Sequence, residues 1–407
     1  MPATAPQPQT ASMGRLLTFI LIALTSLGPF SMQIFLPALP LIRADYGVSG
    51  ATAQMTLSIS MLAIALATLA YGPLSDRYGR RPIVIAGLVI FLAGSALCAA
   101  APDIETLIAG RMLQGAGGAA GMVLARAVVR DMHDRERSAA IIAYLTTAMV
   151  LAPMLAPVIG GYLTGYFSWR ANFAFAGTVG LILAVLVIAR MRESHTTREP
   201  IHGMKSFFGG FGRLLRQPIF CGYAFHSAFM LSVFFAFMAG GPYVMVDVMK
   251  RPVTEYGLYF FAISIGFMAG GLTAARTSER VGIDRMIVLG STIALIAVAV
   301  SVVIMAAGIW HPVAMFGPAT VVAYATGLSM PNAQAGAISV DPKATGAASG
   351  LSGFIQMIIG AGVAQTVGTI QDGTPYPMLG IMLACAVLGL AAIALPLWYH
   401  RRATGAI

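Results

Sequence analysis

The chain has 407 residues, 58% hydrophobic and only 10% charged, with a net charge of +10. A soluble domain carries roughly 25% charged residues, so so few charges cannot cover a water-facing surface of this size and the soluble globular class is excluded. The basic excess would suit nucleic acid, but its distribution along the chain sets a different expectation.

Residues 1–15 are rich in Pro, Gln, Thr and Ala, with no positive charge before Arg15, and read as a disordered cytoplasmic tail. The apolar run after Arg15 is too long for a signal-peptide core. Twelve such runs fall near 16–40, 51–72, 83–101, 106–129, 138–162, 171–190, 218–244, 257–275, 286–307, 313–337, 345–369 and 377–398. Each approaches the roughly 20 residues a helix needs to cross a hydrocarbon core. None shows the alternation of a barrel strand, so helices are expected.

With the N-terminus in the cytoplasm, twelve crossings return the C-terminus there. Arg43, Arg170, Lys250 and Arg251 then fall outside, Arg111 and Arg126 lie within a span, and the remaining Lys and Arg are cytoplasmic. That bias is a positive-inside signal, so the basic character sets topology and no nucleic-acid partner is expected. A basic cytoplasmic linker, 191–217, separates a first six-helix bundle (16–190) from a second (218–398), and 399–407 form a cytoplasmic tail. Cys98, Cys221 and Cys385 sit in apolar runs as small hydrophobes, with no disulfide framework.

The densest polar stretch is Gly72-Pro73-Leu74-Ser75-Asp76-Arg77-Tyr78-Gly79-Arg80-Arg81-Pro82, a connection between spans 2 and 3. Further stretches are Leu36-Pro37-Ala38-Leu39-Pro40 in span 1, and Arg111-Met112-Leu113-Gln114-Gly115-Ala116-Gly117 with Ala125-Arg126 and Arg130-Asp131 in span 4. Span 5 ends Leu155-Ala156-Pro157-Val158-Ile159-Gly160-Gly161, and Pro331-Asn332-Ala333 and Ala344-Thr345-Gly346 come late in the chain. Together these resemble the major facilitator superfamily, and more narrowly its Bcr/CflA-type drug-resistance exporters, which are drug/proton antiporters. In the 8–9 connection, Gly271-Leu272-Thr273-Ala274-Ala275-Arg276 is expected to mirror Gly72 to Arg77, with Ala275 in place of Asp76.

The resemblance implies an all-α membrane protein with twelve transmembrane helices in two pseudo-symmetric six-helix bundles around a central cavity. It implies export of small amphipathic compounds (multidrug or phenicol-like efflux) by alternating access, coupled to proton influx across a cell inner membrane. An uncoupled or proton-coupled importer or facilitator of a small metabolite shares the fold and most motifs. Gly72, Asp76, Arg77, Gly79, Arg80 and Arg81 are expected to gate the inner face, and Pro157, Gly160 and Gly161 to bend span 5 as the halves rock. Arg111, about 10 Å into span 4, either snorkels or enters the cavity. A cation at mid-membrane favours the cavity, beside Gln114.

One departure stands out. All fifteen carboxylates lie in connections or near span ends, and the span 1 position where these antiporters carry an acid, just before Leu36-Pro37, is Gln33. Gln cannot titrate, so His226 and Asp131 become the proton-coupling candidates. A cavity whose buried charges are arginines suits an uncharged, zwitterionic or anionic molecule. Gln33, Phe35, Arg111, Gln114, Phe234 and Tyr324 are the expected substrate contacts, with Phe229, Phe235 and Met238 as further wall candidates. The six histidines are scattered and no HExxH, GxSxG, P-loop or CxxC pattern occurs, so neither an enzyme, a metal nor a cofactor is expected. The expected partners are a small molecule, protons and the lipid bilayer, and the expected state is a monomer.

Overall fold

A computed structural model describes residues 14–195, 211–341 and 345–403. Most of the two tails, linker residues 196–210 and Ala344 lie outside the described residues. Those described are almost entirely helical and contain no strand. Twelve helices are long and apolar enough to cross a membrane: Arg15–Tyr46, Gly50–Tyr78, Arg80–Ala99, Ile104–Met132, Ala140–Tyr166, Arg170–Arg190, Pro218–Val248, Val253–Val281, Ile283–Ala306, Pro312–Ser339, Thr345–Ile370 and Tyr376–Tyr399. They are spans 1 to 12 below.

Their ends follow local chemistry. Span 1 is not continuous: an α-helix to Ile34 gives way to a 3-10 turn, Leu36–Ala38, before the helix resumes at Leu39. Pro37 and Pro40 lack the N–H groups a continuous ladder needs, so the break falls on the Leu-Pro-Ala-Leu-Pro stretch. Span 4 starts on Asp103, whose side chain accepts from Thr106 N at 2.8 Å. The same hydrogen bonds to Thr106 hold the Asp103 carboxyl below its usual range. Span 2 runs through Pro73 to Tyr78, so Gly72 to Tyr78 form its last two turns and only Gly79 is the turn. Gly79 has φ 98° and Gly282, after span 8, has φ 92°, a region that glycine alone enters without strain.

Within each half the helices meet backbone to backbone. Spans 3 and 4 approach through Gly87 and Gly94 on one side and Gly110 and Gly117 on the other; a Cβ at Gly94 would lie 2.7 Å from Gly110 O. In lipid, where apolar side chains gain little from leaving the solvent, such close packing of small residues is what holds helices together. Spans 8 and 10 repeat the device at Gly266, Gly270 and Gly327.

Two seams join the halves. Span 2 packs on span 11, where Ser58 Oγ donates to Gln365 Oε1 at 2.6 Å and Gln365 Nε2 donates to Ala51 O at 2.9 Å. Span 5 packs on span 8, where a Cβ on Gly257 would meet Pro157 O at 2.5 Å and one on Gly165 would meet Thr254 Cγ2 at 2.9 Å. Arg43 adds an ion pair across the halves to Asp247, 2.9 Å, and lies over the Tyr243 ring. All these contacts gather toward the end where spans 1, 5, 7 and 11 finish and spans 2 and 8 start. Met61 reaches Gly360 from span 2, so that seam extends at least about 16 Å from Gly50 at 1.5 Å per residue.

The packing account makes a direct prediction. Gly94→Val places methyl groups against the Gly110 backbone and should destabilise the detergent-solubilised protein by about 1–3 kcal/mol, seen as a lower melting temperature. Gly380→Val, where a Cβ would meet nothing within 4 Å, should leave the melting temperature unchanged.

Candidate functional site

Span 4 carries the most unusual group in the molecule. Arg111 is fully buried, and its guanidinium sits inside the N-terminal bundle. Nε donates to Thr56 O at 3.2 Å, and Nη1 donates to Ser31 O at 3.1 Å and to Gln114 Oε1 at 2.5 Å. Gln114 in turn donates from Nε2 to Ser95 Oγ, 2.9 Å. The guanidinium carbon lies 4.0 Å from the Phe35 ring centroid and 5.8 Å from that of Phe173, a cation–π arrangement that replaces part of the lost hydration. One arginine therefore ties span 1, at its break, to spans 2, 3, 4 and 6. It does not snorkel. Every acceptor is uncharged, and Nη2 has no partner among the described residues.

At the opposite end of the N-terminal half, the gating residues form a compact network. Arg80 donates from Nη1 to Asp76 Oδ1 and Ser75 Oγ, both 2.5 Å, and from Nε to Asp131 Oδ2 at 2.9 Å. Asp131 thus belongs to this cluster, at the inner end of span 4. Glu193, just after span 6, accepts from the backbone N–H groups of Arg80 (2.8 Å) and Arg81 (3.2 Å), capping the first turn of span 3. Gly79 allows this approach: a Cβ there would lie 2.5 Å from Glu193 Oε2. Arg81 reaches Ile188 O at 2.9 Å, and Arg77 lies over the neighbouring Tyr78 ring. At Gly72 a Cβ would meet nothing within 4 Å.

The repeat in the second half has a different register from the expected one. Gly79 N–H bonds to Ser75 O at 3.0 Å, and Gly282 N–H bonds to Ser278 O at 2.9 Å, with matching φ. The equivalent of Ser75-Asp76-Arg77-Tyr78-Gly79 is therefore Ser278-Glu279-Arg280-Val281-Gly282. Glu279 keeps the acid, and Ala275 is not its counterpart. Beside Gly282, Tyr223 donates to Asp284 Oδ1 at 2.6 Å in a cleft of about 420 Å³ lined also by Arg285 and Ser339.

The other expected residues are dispersed. Gln33 is buried beside the span 1 break, with Oε1 unpartnered among the described residues. Phe234 lies in the second half against Phe235 and Phe260, and Tyr324 on span 10 donates to Thr273 Oγ1 at 3.4 Å. His226 is buried between spans 7 and 12, with Nδ1 2.8 Å from Gly389 O. A carbonyl only accepts, so Nδ1 carries the proton and Nε2 the lone pair. Gly160 packs directly on Ile34 O, joining span 5 to the span 1 break, while Pro157 and Gly161 face span 8.

Sequence reasoning missed Glu193, the Arg43–Asp247 pair and the Gln54–Gln365 region. Gln54 is fully buried against Gly368. Each depends on a partner more than a hundred residues away, which no local pattern signals. Glu279 was findable, by aligning the two halves on their turn glycine.

Residues 21–365 match the Major Facilitator Superfamily. A bicyclomycin resistance protein homolog of Haemophilus influenzae is 29% identical over 387 residues, covering 92% of this chain and 95% of the relative. The multidrug resistance protein MdtL of Escherichia coli is 26% identical over 380 residues, 91% and 93% of the two chains. Among solved structures, a bacterial homolog of the human lysosomal transporter Spinster, inward-facing and occupied, superposes with a TM-score of 0.73 at 15% identity over 98% of each chain. A D-xylose-proton symporter does so with a TM-score of 0.71 at 13% identity, over 94% of this chain and 96% of that one. At those identities the structures speak to the fold alone, whereas the sequence match extends along most of the length. The chain is a multi-pass membrane protein and belongs to the Major Facilitator Superfamily.

Proposed function

We propose that the chain exports small amphipathic compounds, of the multidrug or phenicol-like class, by alternating access, with proton influx as a driving force. The carrying observation is the asymmetry of the interface. The contacts joining the halves gather at one end, while the Asp76–Arg80–Asp131–Glu193 network at the other end is built within one half. The excess of Lys and Arg on the second end supports a cytoplasmic placement for it. The conformation is then closed outside, with the cytoplasmic side able to receive substrate. The names of the relatives, bicyclomycin and multidrug resistance, support drug-like cargo. The protein works in a cell inner membrane as a monomer with both termini cytoplasmic, and moves its substrate without altering it.

In this reading Gln33, Phe35, Arg111, Gln114, Phe234 and Tyr324 contact the substrate, and Arg111 becomes reachable when the Phe35 ring swings off it. Gly72, Asp76, Arg77, Gly79, Arg80 and Arg81 form the inner gate. Pro157, Gly160 and Gly161 keep span 5 close to spans 1 and 8 as the halves rock. Asp131 is held by Arg80, whereas His226 presents a lone pair at Nε2, so His226 is the stronger proton-coupling candidate. A proton entering down the membrane potential supplies about 2.3 kcal/mol per 100 mV.

Everted vesicles containing the protein should accumulate labelled chloramphenicol while the proton gradient stands and lose it when an uncoupler collapses the gradient. Equilibration indifferent to the uncoupler would make the protein a facilitator, and no movement would reopen the importer reading. In the same vesicles Arg111→Ala should lower accumulation at least about tenfold while the protein stays folded in detergent. Near-normal accumulation would make Arg111 a packing residue. Asp76→Asn should slow uptake severalfold at unchanged protein level; unaltered kinetics would remove the gate from this account.

A further inference from the structure

Starting from the efflux reading, we infer that the cargo carries a negative charge and that the arginines of span 4 receive it. Arg111, Arg126 and Arg130 fall within about 100° of arc on that helix and extend over about 28 Å, from mid-membrane to the inner end. None of the four ion pairs among the described residues involves any of them. Arg111 has only carbonyl, amide and ring partners, with Nη2 unpartnered in a fully buried side chain. Arg126 has Met149 Sδ at 3.4 Å, and its buried Nε has no partner among the described residues. The Asp131 carboxylate lies on the other side of the helix and is bound by Arg80 and by Ser194 Oγ.

An unmatched guanidinium in an apolar bundle is costly, and neighbouring ones of the same sign repel. An anionic group arriving from the cytoplasm answers both, through charge-assisted and often bidentate hydrogen bonds. A cation meets the same ladder as a barrier. With Phe35 and Phe234 offering apolar surface, the fitting class is an amphipathic organic acid, a carboxylate or phosphate joined to an apolar body. Its charge also bears on the absent carboxylate at Gln33. An inside-negative potential drives an anion outward on the order of fiftyfold per charge per 100 mV. Export of an acid therefore draws on the potential even where the path holds no titratable carboxylate.

The test compares chloramphenicol succinate with its neutral parent and with ethidium, a cation, by thermal stabilisation of the purified full-length protein in detergent. The succinate should stabilise at a concentration about tenfold lower than the parent, as one charge-assisted contact allows. Arg126→Gln should erase that difference and Arg126→Lys should keep part of it. Arg130→Gln, at an exposed position, should reduce it in a variant whose folding is not at stake. Equal or better stabilisation by the parent or ethidium, no effect of the succinate, or a preference that survives both glutamine variants would overturn the inference. Stabilisation by the succinate without movement of either compound in vesicles would keep the anion site and remove the efflux reading. Movement of chloramphenicol with no preference for the succinate would do the reverse.

Discussion

The two halves touch through seams that gather at one end of the molecule, and most of what the protein can do follows from that restriction. Spans 2 and 11 and spans 5 and 8 approach at Gly368, Gly257 and Gly165, where a Cβ would collide with the facing span. Contact that close is strong in lipid because it maximises dispersion and lets polar groups such as Ser58 and Gln365 bond directly. It is also short-ranged, since a gap of about 0.5–1 Å already forfeits roughly a quarter to a half of the dispersion attraction. Alternating access requires that such a joint part and re-form as a unit while each bundle keeps its own packing.

The span 1 break lies where several of these constraints cross. Pro37 and Pro40 interrupt the helix, Gly160 of span 5 packs on Ile34 O, and Arg111 holds Ser31 O and the Phe35 ring. Any motion of span 5 against span 8 therefore pulls on the break, and any change in what Arg111 binds changes the restraint on the same turn. In the proposed reading, substrate binding and conformational change would then share one small group of atoms without a dedicated relay between them.

Much of this was legible in the sequence. Twelve apolar runs and the polar stretch from Gly72 to Pro82 are local features set by hydropathy, whereas span 1 was expected as one run and its break at Leu-Pro-Ala-Leu-Pro, where proline lacks the N–H, came from the structure. Span boundaries moved mostly outward: Gly72 to Tyr78 is helix rather than loop, and the turn is confined to Gly79, whose positive φ ends the helix. What the sequence could not display are pairings across distance: Arg43 with Asp247, Glu193 with the span 3 N-terminus, and the enclosure of Arg111 by Phe35 and Phe173. Each depends on how spans stack, which composition does not encode. The repeat was misaligned because Gly72 and Gly271 look alike, whereas the residues under conformational constraint are Gly79 and Gly282.

The claim on which the rest depends is that the span 5–span 8 seam opens in every cycle. A double variant, Gly165→Cys with Thr254→Cys and the three native cysteines replaced by alanine, tests it directly through chloramphenicol uptake into everted vesicles before oxidation, after oxidation, and after reduction. The account predicts that the disulfide forms readily, stops uptake, and that a reductant restores it. A cross-linked protein that transports at the uncross-linked rate would show that the seam is static and would contradict the account.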